Sequence, residues 1–550
     1  VFFLALIGII VWVVRQKQND SADYFLGGRD ATWLAIGASI FASNIGSEHL
    51  IGLAGAGASS GMAMAHWEIQ GWMILILGWV FVPFYTRSMV YTMPEFLERR
   101  YNPQSRTILS VISLVSYVLT KVAVTVYAGG LVFQQVFGIK ELWGIDFFWI
   151  AAIGLVVLTA LYTIFGGMKS VLYTSVLQTP ILLLGSLIIL VLGFKELGGW
   201  DEMMRVCGAV TVNDYGDTMT NLIRSNDDAN FPWLGALIGS AIIGFWYWCT
   251  DQRVLSGKNE MEARRGTIFG AYLKLLPVFL FLIPGMIAFA LHQKYIGAGG
   301  EGFLPMLENG TANADAAFPT LVAKLLPAGV KGLVVCGILA ALMSSLASLF
   351  NSSAMLFTID FYKRFRPQTS EKKLVGIGQV ATVVIVILGI LWIPIMRSVG
   401  DVLYTYLQDV QSVLAPGIAA AFLLGICWKR TSAQGGMWGL ISGMVIGLTR
   451  LGAKVYYSNA GEVADSTFKY LFYDMNWLFF CGWMFLFCII VVIVVSLATE
   501  APTAEKIQGL VFGTATKEQK ASTRASWNHW DIIHTVIILA ITGAFYWYFW

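Results

Sequence analysis

The sequence predicts an all-α polytopic membrane protein with fourteen transmembrane helices. Of its 550 residues, 57% are hydrophobic and only 13% are charged, and the mean hydropathy is +0.69. Apolar runs of about 20 residues, the length that crosses a bilayer, recur from one end of the chain to the other. A soluble domain would carry about twice this share of charged residues. Most of the surface is therefore expected to face lipid.

The individual spans follow from these apolar runs, taken in order along the chain. The first is short and does not begin with Met, so we expect the sequence to start within a helix. The predicted spans are 1–14, 34–58, 63–86, 107–137, 146–165, 171–194, 231–252, 266–291, 328–361, 374–396, 401–427, 434–450, 471–498 and 531–550.

Lysine and arginine concentrate in alternate loops between these spans, which is the pattern expected when positive loops stay in the cytoplasm. The pattern places both ends of the chain outside. The net charge of +3 then needs no nucleic-acid partner to explain it. The sequence also has no nucleotide-binding Gly-rich loop, catalytic triad or zinc spacing, so enzymatic activity is not expected. We expect a multi-pass protein of the plasma membrane that draws its energy from an ion gradient.

Two of the spans are interrupted by polar residues. The first interruption, at Ser43–His49, lies in the middle of span 34–58, and the second, at Thr250–Gln252, follows an apolar half-span. The second interruption comes five spans after the first. Broken helices in corresponding positions are typical of transporters built from inverted repeats, whose binding site lies beside the free backbone groups. The spacing therefore predicts a five-plus-five inverted repeat.

Charged residues at membrane depth indicate a solute pathway. Lys274 lies inside span 266–291 and Lys121 inside span 107–137. A charge at the centre of a bilayer costs about 3 kcal/mol or more, so it usually faces a protein interior and has a partner. These lysines indicate transport of a polar solute, although the sequence gives Lys121 no role.

Small residues in span 328–361 suggest a cation site. Ala341, Ser344 and Ser345 share one helical face by the i, i+3, i+4 rule. Together with the backbone carbonyls of Ala42 and Ile45 on the first broken helix, they would offer five oxygens to a hard cation. A neutral, oxygen-only cage suits Na⁺. The alternative is that these small residues only allow close packing of helices.

Several ordered motifs resemble those of the sodium/solute symporters. Tyr162–Ser170 resembles the family signature, and four further stretches resemble the sodium/glucose cotransporter branch: Ser43–Gly46, Trp246–Gln252, Tyr272–Leu275 and Ser344–Ser348. The resemblance implies a LeuT-type core of ten helices. Residues 1–14 would then be an extra N-terminal helix, 34–194 the first repeat, 231–427 the second repeat, and 434–550 three C-terminal helices.

The resemblance also implies the residues of two sites. Trp248 would stack on the sugar ring, Tyr247 would close the pocket from the cytoplasmic side, and Glu68 and Lys274 would neutralise each other when the pocket is empty. The sodium site would comprise Ala42, Ile45, Ala341, Ser344 and Ser345. The sugar pocket would comprise Asn44, His49, Glu68, Tyr127, Tyr247, Trp248, Lys274 and Gln408.

Other interpretations of single pocket residues remain open. His49 is also explained as a hydrogen-bonded core histidine, Gln408 as a bond between helices, and Tyr127 and Trp248 as packing aromatics. The expected substrates are Na⁺ and a small sugar such as glucose or galactose. A symporter for myo-inositol or another polyol is the alternative, followed by a sugar sensor or a uniporter. Neither the preferred hexose nor the oligomeric state follows from the sequence.

Three positions depart from the family pattern. Members with a second sodium site have an Asp where this chain has Ser175, and a hydroxyl where it has Ala347, so one Na⁺ per sugar is expected. Gly244 stands where relatives usually offer the sugar a polar side chain. Gln252 runs directly into Arg253, where relatives have about one more helical turn; this is either a true shortening or a gap in the sequence.

Overall fold

A computed structural model of the chain describes residue 8 and residues 32–550, apart from 43, 89–92, 308–309, 400–401 and 460–463. In its first half the α-helices are α1 Trp33–Ala42, α2 Ala54–Ser60, α3 Ala65–Glu68, α4 Gly71–Ile76, α5 Val82–Ser88, α6 Met93–Arg100, α7 Pro103–Ser116, α8 Ala123–Phe137, α9 Phe147–Leu197, α10 Trp200–Gly208 and α11 Trp233–Cys249. Two short strands, β1 Glu141–Leu142 and β2 Ile145–Asp146, pair antiparallel.

The second half is also helical. Its α-helices are α12 Glu260–Leu273, α13 Ile283–Gly297, α14 Ala317–Leu325, α15 Ala328–Met355, α16 Lys363–Phe365, α17 Glu371–Val399, α18 Leu403–Cys427, α19 Ala433–Asn459, α20 Thr467–Lys469, α21 Trp477–Ala498, α22 Ala504–Ile507, α23 Lys517–Ala525 and α24 His529–Tyr548. π-Helical turns lie at Glu48–Leu53, Leu77–Phe81, Tyr117–Val122, Val278–Leu282, Leu356–Tyr362 and Tyr470–Asp474, and 3₁₀ turns at Gly61–Met64, Gln252–Ser256 and Ala314–Ala316.

The helices are long and apolar enough to form a membrane bundle. In the described ranges nine helical stretches could cross a bilayer, or up to 10 if the bent pair Leu183–Leu197 and Trp200–Gly208 is one span. The most apolar part of Leu403–Cys427 is 83% buried, whereas that of His529–Tyr548 is 17% buried. α18 therefore lies at the centre of the bundle and α24 at its periphery.

Both predicted helix breaks are present. α1 ends at Ala42, and helical structure resumes in the π turn Glu48–Leu53. α11 ends at Cys249, and the 3₁₀ turn Gln252–Ser256 follows. The Asp251 side chain caps this turn by accepting a hydrogen bond from the backbone N–H of Arg253. Backbone groups in both breaks lie outside a regular helical ladder, as a site between broken helices requires.

Two expectations about the spans have a different outcome. The sequence predicts separate spans at 146–165 and 171–194, but the structure has one helix, Phe147–Leu197, so the expected interruption is wrong. None of the residues there is a Gly–Pro or Pro–Gly breaker, and Pro180 is accommodated within the helix. The predicted span 1–14 falls almost wholly outside the described residues, and the total of fourteen helices stays a prediction.

One ion pair ties two helices of the bundle together at one end. Arg106, near the start of α7, contacts Asp360 in the π turn after α15, with Nη2 and Nε 2.6 and 2.9 Å from Oδ1. Ser110 donates to the other oxygen of Asp360 at 3.0 Å. Asp360 is buried, so this fork-like contact is shielded from water and fixes the two helices relative to each other.

Candidate functional site

A small cavity lies beside the first helix break. Its free volume is about 10 Å³, close to the space that one water molecule needs, so any larger solute requires it to widen. Five of its lining residues were predicted for the sites: Asn44, Ile45, His49, Trp248 and Lys274. The others are Ile40, Phe41, Ile74, Gly270 and Pro277.

Lys274 is positioned at this cavity by the end of α12. The helix ends at Leu273. Pro277 follows three residues after Lys274, and it cannot continue a regular helical ladder because proline has no backbone N–H. The Lys274 ammonium donates to Glu68 Oε2 at 2.6 Å. Both side chains are buried, so each charge has the partner that it requires at this depth. Glu68 and Lys274 thus form an ion pair, and its role in an empty pocket stays a prediction.

Glu68 connects further groups to this pair. His49 Nε2 lies 3.4 Å from Glu68 Oε2, and the hydroxyl of Tyr404 donates to Oε1 at 2.6 Å. Tyr404 was missed by the sequence reasoning. It lies four residues before Gln408, so both point from one face of α18, and that spacing was the signal that could have found it.

An aromatic ring covers the lysine. The Lys274 ammonium lies 5.2 Å from the ring centroid of Trp248, within the range of a cation–π contact. Trp248 is almost fully buried and lines the cavity. It thus presents one apolar surface to the cavity next to a compact group of charges.

Within the part of the chain that the structure describes, two buried polar atoms near this cluster have no hydrogen-bond partner. They are Nδ1 of His49 and Oε1 of Gln408. An unsatisfied buried polar atom costs about 1–3 kcal/mol, and native proteins have few of them. Both residues belong to the predicted pocket.

The structure places the remaining two pocket residues elsewhere. Tyr247 OH donates to Asn44 Oδ1 and accepts from Lys121 Nζ, which closes one side of the break. Tyr127 packs its ring against Phe148, with centroids 5.5 Å apart, and is not among the residues that line the cavity. The packing interpretation of Tyr127 fits this contact.

α15 approaches the first break where the sodium site is expected. Ser345 Oγ is so close to Gly46 that a β-carbon there would lie 2.6 Å from it. Ile45 and Ala341 are buried. The backbones of Ala42 and Ser344 are helical, and their side chains are outside the described set. The Ser345 hydroxyl therefore lies next to the first helix break, as a cation bound by both would require.

Gln70 occupies the space beside Gly244. Its amide Nε2 donates to the Ser240 carbonyl at 2.7 Å, and a β-carbon at position 244 would overlap its Oε1. The missing or water-filled solute contact expected at Gly244 stays a prediction. The space on this side of Gly244 is taken by the amide of Gln70, the residue before α4. Gln70 and Gly244 lie one helical turn from Ile74 and Trp248, respectively, in the cavity wall.

These features define a multi-pass membrane transporter built on two broken helices, and comparison with known proteins gives its family. The family model described as "Sodium:solute symporter family" matches residues 24–443. The human sodium/myo-inositol cotransporter 2 is 36% identical over 531 residues, which cover 93% of this chain and 78% of that protein. The dog sodium/myo-inositol cotransporter is 36% identical over 539 residues, covering 93% and 74%.

A solved structure shows the same fold. The substrate-bound outward-open state of a Na⁺-coupled sialic acid symporter matches with a TM-score of 0.66 and 21% identity, over 91% of this chain and 98% of that one. The chain belongs to the sodium:solute symporter family. It is a LeuT-fold transporter with Na⁺ as its coupling ion, and not an enzyme.

Proposed function

We propose that this chain couples the entry of Na⁺ to the uptake of a neutral cyclic polyol, with myo-inositol as the first candidate. The main support is that Lys274 and Glu68, the two buried charges beside the cavity, already form an ion pair with each other at 2.6 Å. A charged solute would leave one of these buried charges uncompensated, at a cost of several kcal/mol. An uncharged solute avoids that cost.

The polar groups around the pair suit hydroxyls. Each hydroxyl both donates and accepts, so one ring of hydroxyls can engage a carboxylate, an ammonium, an imidazole and an amide. His49 Nδ1 and Gln408 Oε1 are free to take part. Trp248 provides an apolar face for the C–H surface of the ring. Similarity to relatives named sodium/myo-inositol cotransporters favours a cyclitol over a pyranose.

A hexose such as glucose or galactose is the second candidate. The stretches Trp246–Gln252 and Tyr272–Leu275 resemble the sodium/glucose branch, and a pyranose carries a similar ring of hydroxyls. The two candidates differ in the ring oxygen and in the exocyclic hydroxymethyl group of the hexose. Competition between them for the same pocket decides which is preferred.

The sodium ion is proposed to bind between the first break and α15, on the carbonyls of Ala42 and Ile45, the carbonyl of Ala341 and the hydroxyls of Ser344 and Ser345. Its support is the approach of Ser345 to Gly46. Because Ser175 and Ala347 lack the groups of a second site, we propose one Na⁺ per solute molecule. A sodium concentration series should then give a Hill coefficient near 1.

One ion supplies enough energy for useful accumulation. A charge that crosses 100 mV releases about 2.3 kcal/mol. At about 1.4 kcal/mol per factor of ten, this corresponds to roughly 50-fold accumulation, before any chemical gradient of Na⁺ is added. Coupling requires only that Na⁺ and the solute favour the same conformation, since each then tightens the binding of the other.

The test is uptake of radiolabelled myo-inositol and glucose into proteoliposomes with an imposed Na⁺ gradient. The wild type is compared with Ser345→Ala, Gln408→Ala and the control Arg265→Gln, whose ion pair with Asp531 lies between α12 and α24. We expect sodium-driven accumulation of myo-inositol that only the first two variants lose. Equilibration without accumulation would refute coupling, and accumulation of glucose alone would reverse the substrate assignment.

A further inference from the structure

Lys121 is a partly buried cation that neither proposed site uses. Its ammonium donates to the hydroxyl of Tyr247 at 3.0 Å and lies 3.7 Å from Glu48 Oε1. It also lies 5.2 Å from the centroid of the Tyr247 ring. The side chains of Lys121 and Glu48 are only 21% and 13% exposed, so the ion pair is largely shielded from solvent.

The hydroxyl of Tyr247 is thereby engaged on both sides. It accepts from Lys121 and donates to Asn44 Oδ1. Asn44 in turn donates from Nδ2 to the carbonyl of Ile40 at 2.5 Å. A continuous series of hydrogen bonds therefore runs from the helical stretch 103–137, through α11, to the first helix break.

We propose that Lys121, with Glu48 as its counter-ion, is a positioning residue that holds Tyr247 closed against the first break while Na⁺ orders that break. The inference rests on the proposed sodium site. It adds a residue pair that makes closure of the Tyr247 gate depend on the ion.

The geometry explains why the pair would respond to Na⁺. Asn44 precedes Ile45 in the sequence and Glu48 follows it, and the carbonyl of Ile45 is a proposed sodium ligand. An ammonium has three N–H donors, so Lys121 can contact Glu48 and Tyr247 together. A change in the shape of the break would move Glu48 and Asn44 and so separate these contacts. Departure of Na⁺ frees the break, separates Asn44 and Glu48 from their partners, and releases Tyr247.

A purely structural ion pair makes different predictions. If Lys121 only neutralised Glu48, removal of both charges would restore normal behaviour, and Tyr247 would not matter to the effect. If Lys121 acts through Tyr247, Glu48→Gln with Lys121→Gln stays defective. In addition, Lys121→Gln has little further effect in a Tyr247→Phe background, because the hydrogen bond is already absent.

The experiment is amide hydrogen exchange of the full-length protein, read by mass spectrometry over residues 245–257, with Na⁺ or with choline. The wild type, Lys121→Gln, Lys121→Arg and the control Arg265→Gln are compared. We expect Na⁺ to slow exchange in the wild type, in Lys121→Arg and in the control. In Lys121→Gln this protection should fall by roughly ten-fold, the scale of a lost hydrogen bond to a charged group.

Each outcome has a defined meaning. Wild-type protection in Lys121→Gln, or effects of Lys121→Gln and Tyr247→Phe that simply add, overturns the role of Lys121 and leaves the proposed function intact. If Na⁺ gives the wild type no protection and drives no uptake, the sodium site itself fails. Should Lys121→Gln not fold, Glu48→Gln is measured instead, and normal protection there refutes the counter-ion role.

Discussion

Ser345 Oγ lies where a side chain at position 46 would have to go, since a β-carbon on Gly46 would be 2.6 Å from it. Real β-carbons essentially never approach another heavy atom this closely, so a side chain at 46 would displace the Ser345 hydroxyl, whereas Ser345 Cβ, at 3.5 Å, would be in ordinary contact. The break and α15 are the two elements proposed to share Na⁺. The Ser345 hydroxyl therefore keeps its place beside the break because residue 46 has no side chain.

Gly46→Ala is expected to weaken sodium binding while the protein stays folded. The displaced Ser345 hydroxyl no longer reaches the ion, and the Na⁺ concentration for half-maximal uptake should rise at least about ten-fold, as loss of one ligand-like hydrogen bond to a charge implies. Gly329→Ala is the matched control, because Gly329 lies in α15, the helix that carries Ser345, and has nothing within 4 Å of its added carbon. Equal sodium dependence in the two variants would contradict the proposed site.

Much of the fold could be predicted from the sequence because membrane spans and broken helices leave local signals. The breaks at Ser43–His49 and after Cys249 were visible as polar residues inside apolar runs, and Lys274 as a charge that required a partner. The interruption expected between 165 and 171 was wrong, because glycine and short polar residues do not by themselves end a helix.

The parts of the candidate site that could not be predicted depend on contacts distant in sequence. Tyr404 reaches Glu68 across 336 positions, and Gln70 fills the gap beside Gly244 across 174. The spacing of Tyr404 from Gln408 places both on one face of α18, but no local pattern encodes the contact of Tyr404 with Glu68. The sequence gives Lys121 no role for the same reason, since its partners Glu48 and Tyr247 lie in two other helical segments.

Gly244→Ser is expected to displace the amide of Gln70. The added carbon would overlap Gln70 Oε1, so Gln70 loses its 2.7 Å bond to Ser240 and moves toward the cavity wall. Affinity for the solute should fall several-fold. Adding Gln70→Ala should recover much of this loss, because the overlap is then removed.

The measurement is competition of unlabelled myo-inositol and glucose against labelled solute. Gly154→Ser serves as the control, because its β-carbon has open space. If Gly244→Ser and the double variant bind equally poorly, the overlap with Gln70 is not the cause. A changed preference between the two solutes would identify this position as part of substrate selection.

Removing one member of the Lys274–Glu68 pair should destabilise the protein more than removing both. A single partner left behind is an uncompensated buried charge, which costs about 3–5 kcal/mol, whereas neutral pairs often cost little. Lys274→Gln should therefore melt at a clearly lower temperature than the double variant Glu68→Gln with Lys274→Gln. Thermal unfolding in detergent checks this, and a double variant that loses as much as the two single variants combined would contradict it.

Asp315 gives the stability an expected pH dependence. It lies outside the membrane spans, in the 3₁₀ turn Ala314–Ala316, and burial raises its pKa from 3.8 to about 7. The backbone N–H of Leu403, at 3.1 and 3.2 Å from the two carboxylate oxygens, opposes that rise. The folded state favours the protonated form of Asp315. Its contribution to the free energy of unfolding is therefore complete below about pH 4 and is lost as the pH rises through 7.

Asp315→Asn should remove this dependence. An asparagine oxygen can still accept from Leu403, and it carries no charge to desolvate. The variant should therefore melt at a higher temperature than the wild type at pH 8, with a smaller difference at pH 5. The exposed Asp201, changed to Asn, is the control. A lower melting temperature of Asp315→Asn at pH 8 would show that the carboxylate is stabilising and the pH argument wrong.

The ion pair of Arg106 with Asp360 also has a mechanical consequence. Arg106 lies in the helical stretch that continues to Lys121, and Asp360 follows the helix that carries Ser345. The ion pair therefore joins the helical stretch that carries Lys121 to the helix that carries Ser345, and both approach the first break. A movement of the break away from these two helices would weaken sodium binding and release Tyr247 at the same time. Tyr247 would then stay closed for as long as Na⁺ remains bound between the break and α15.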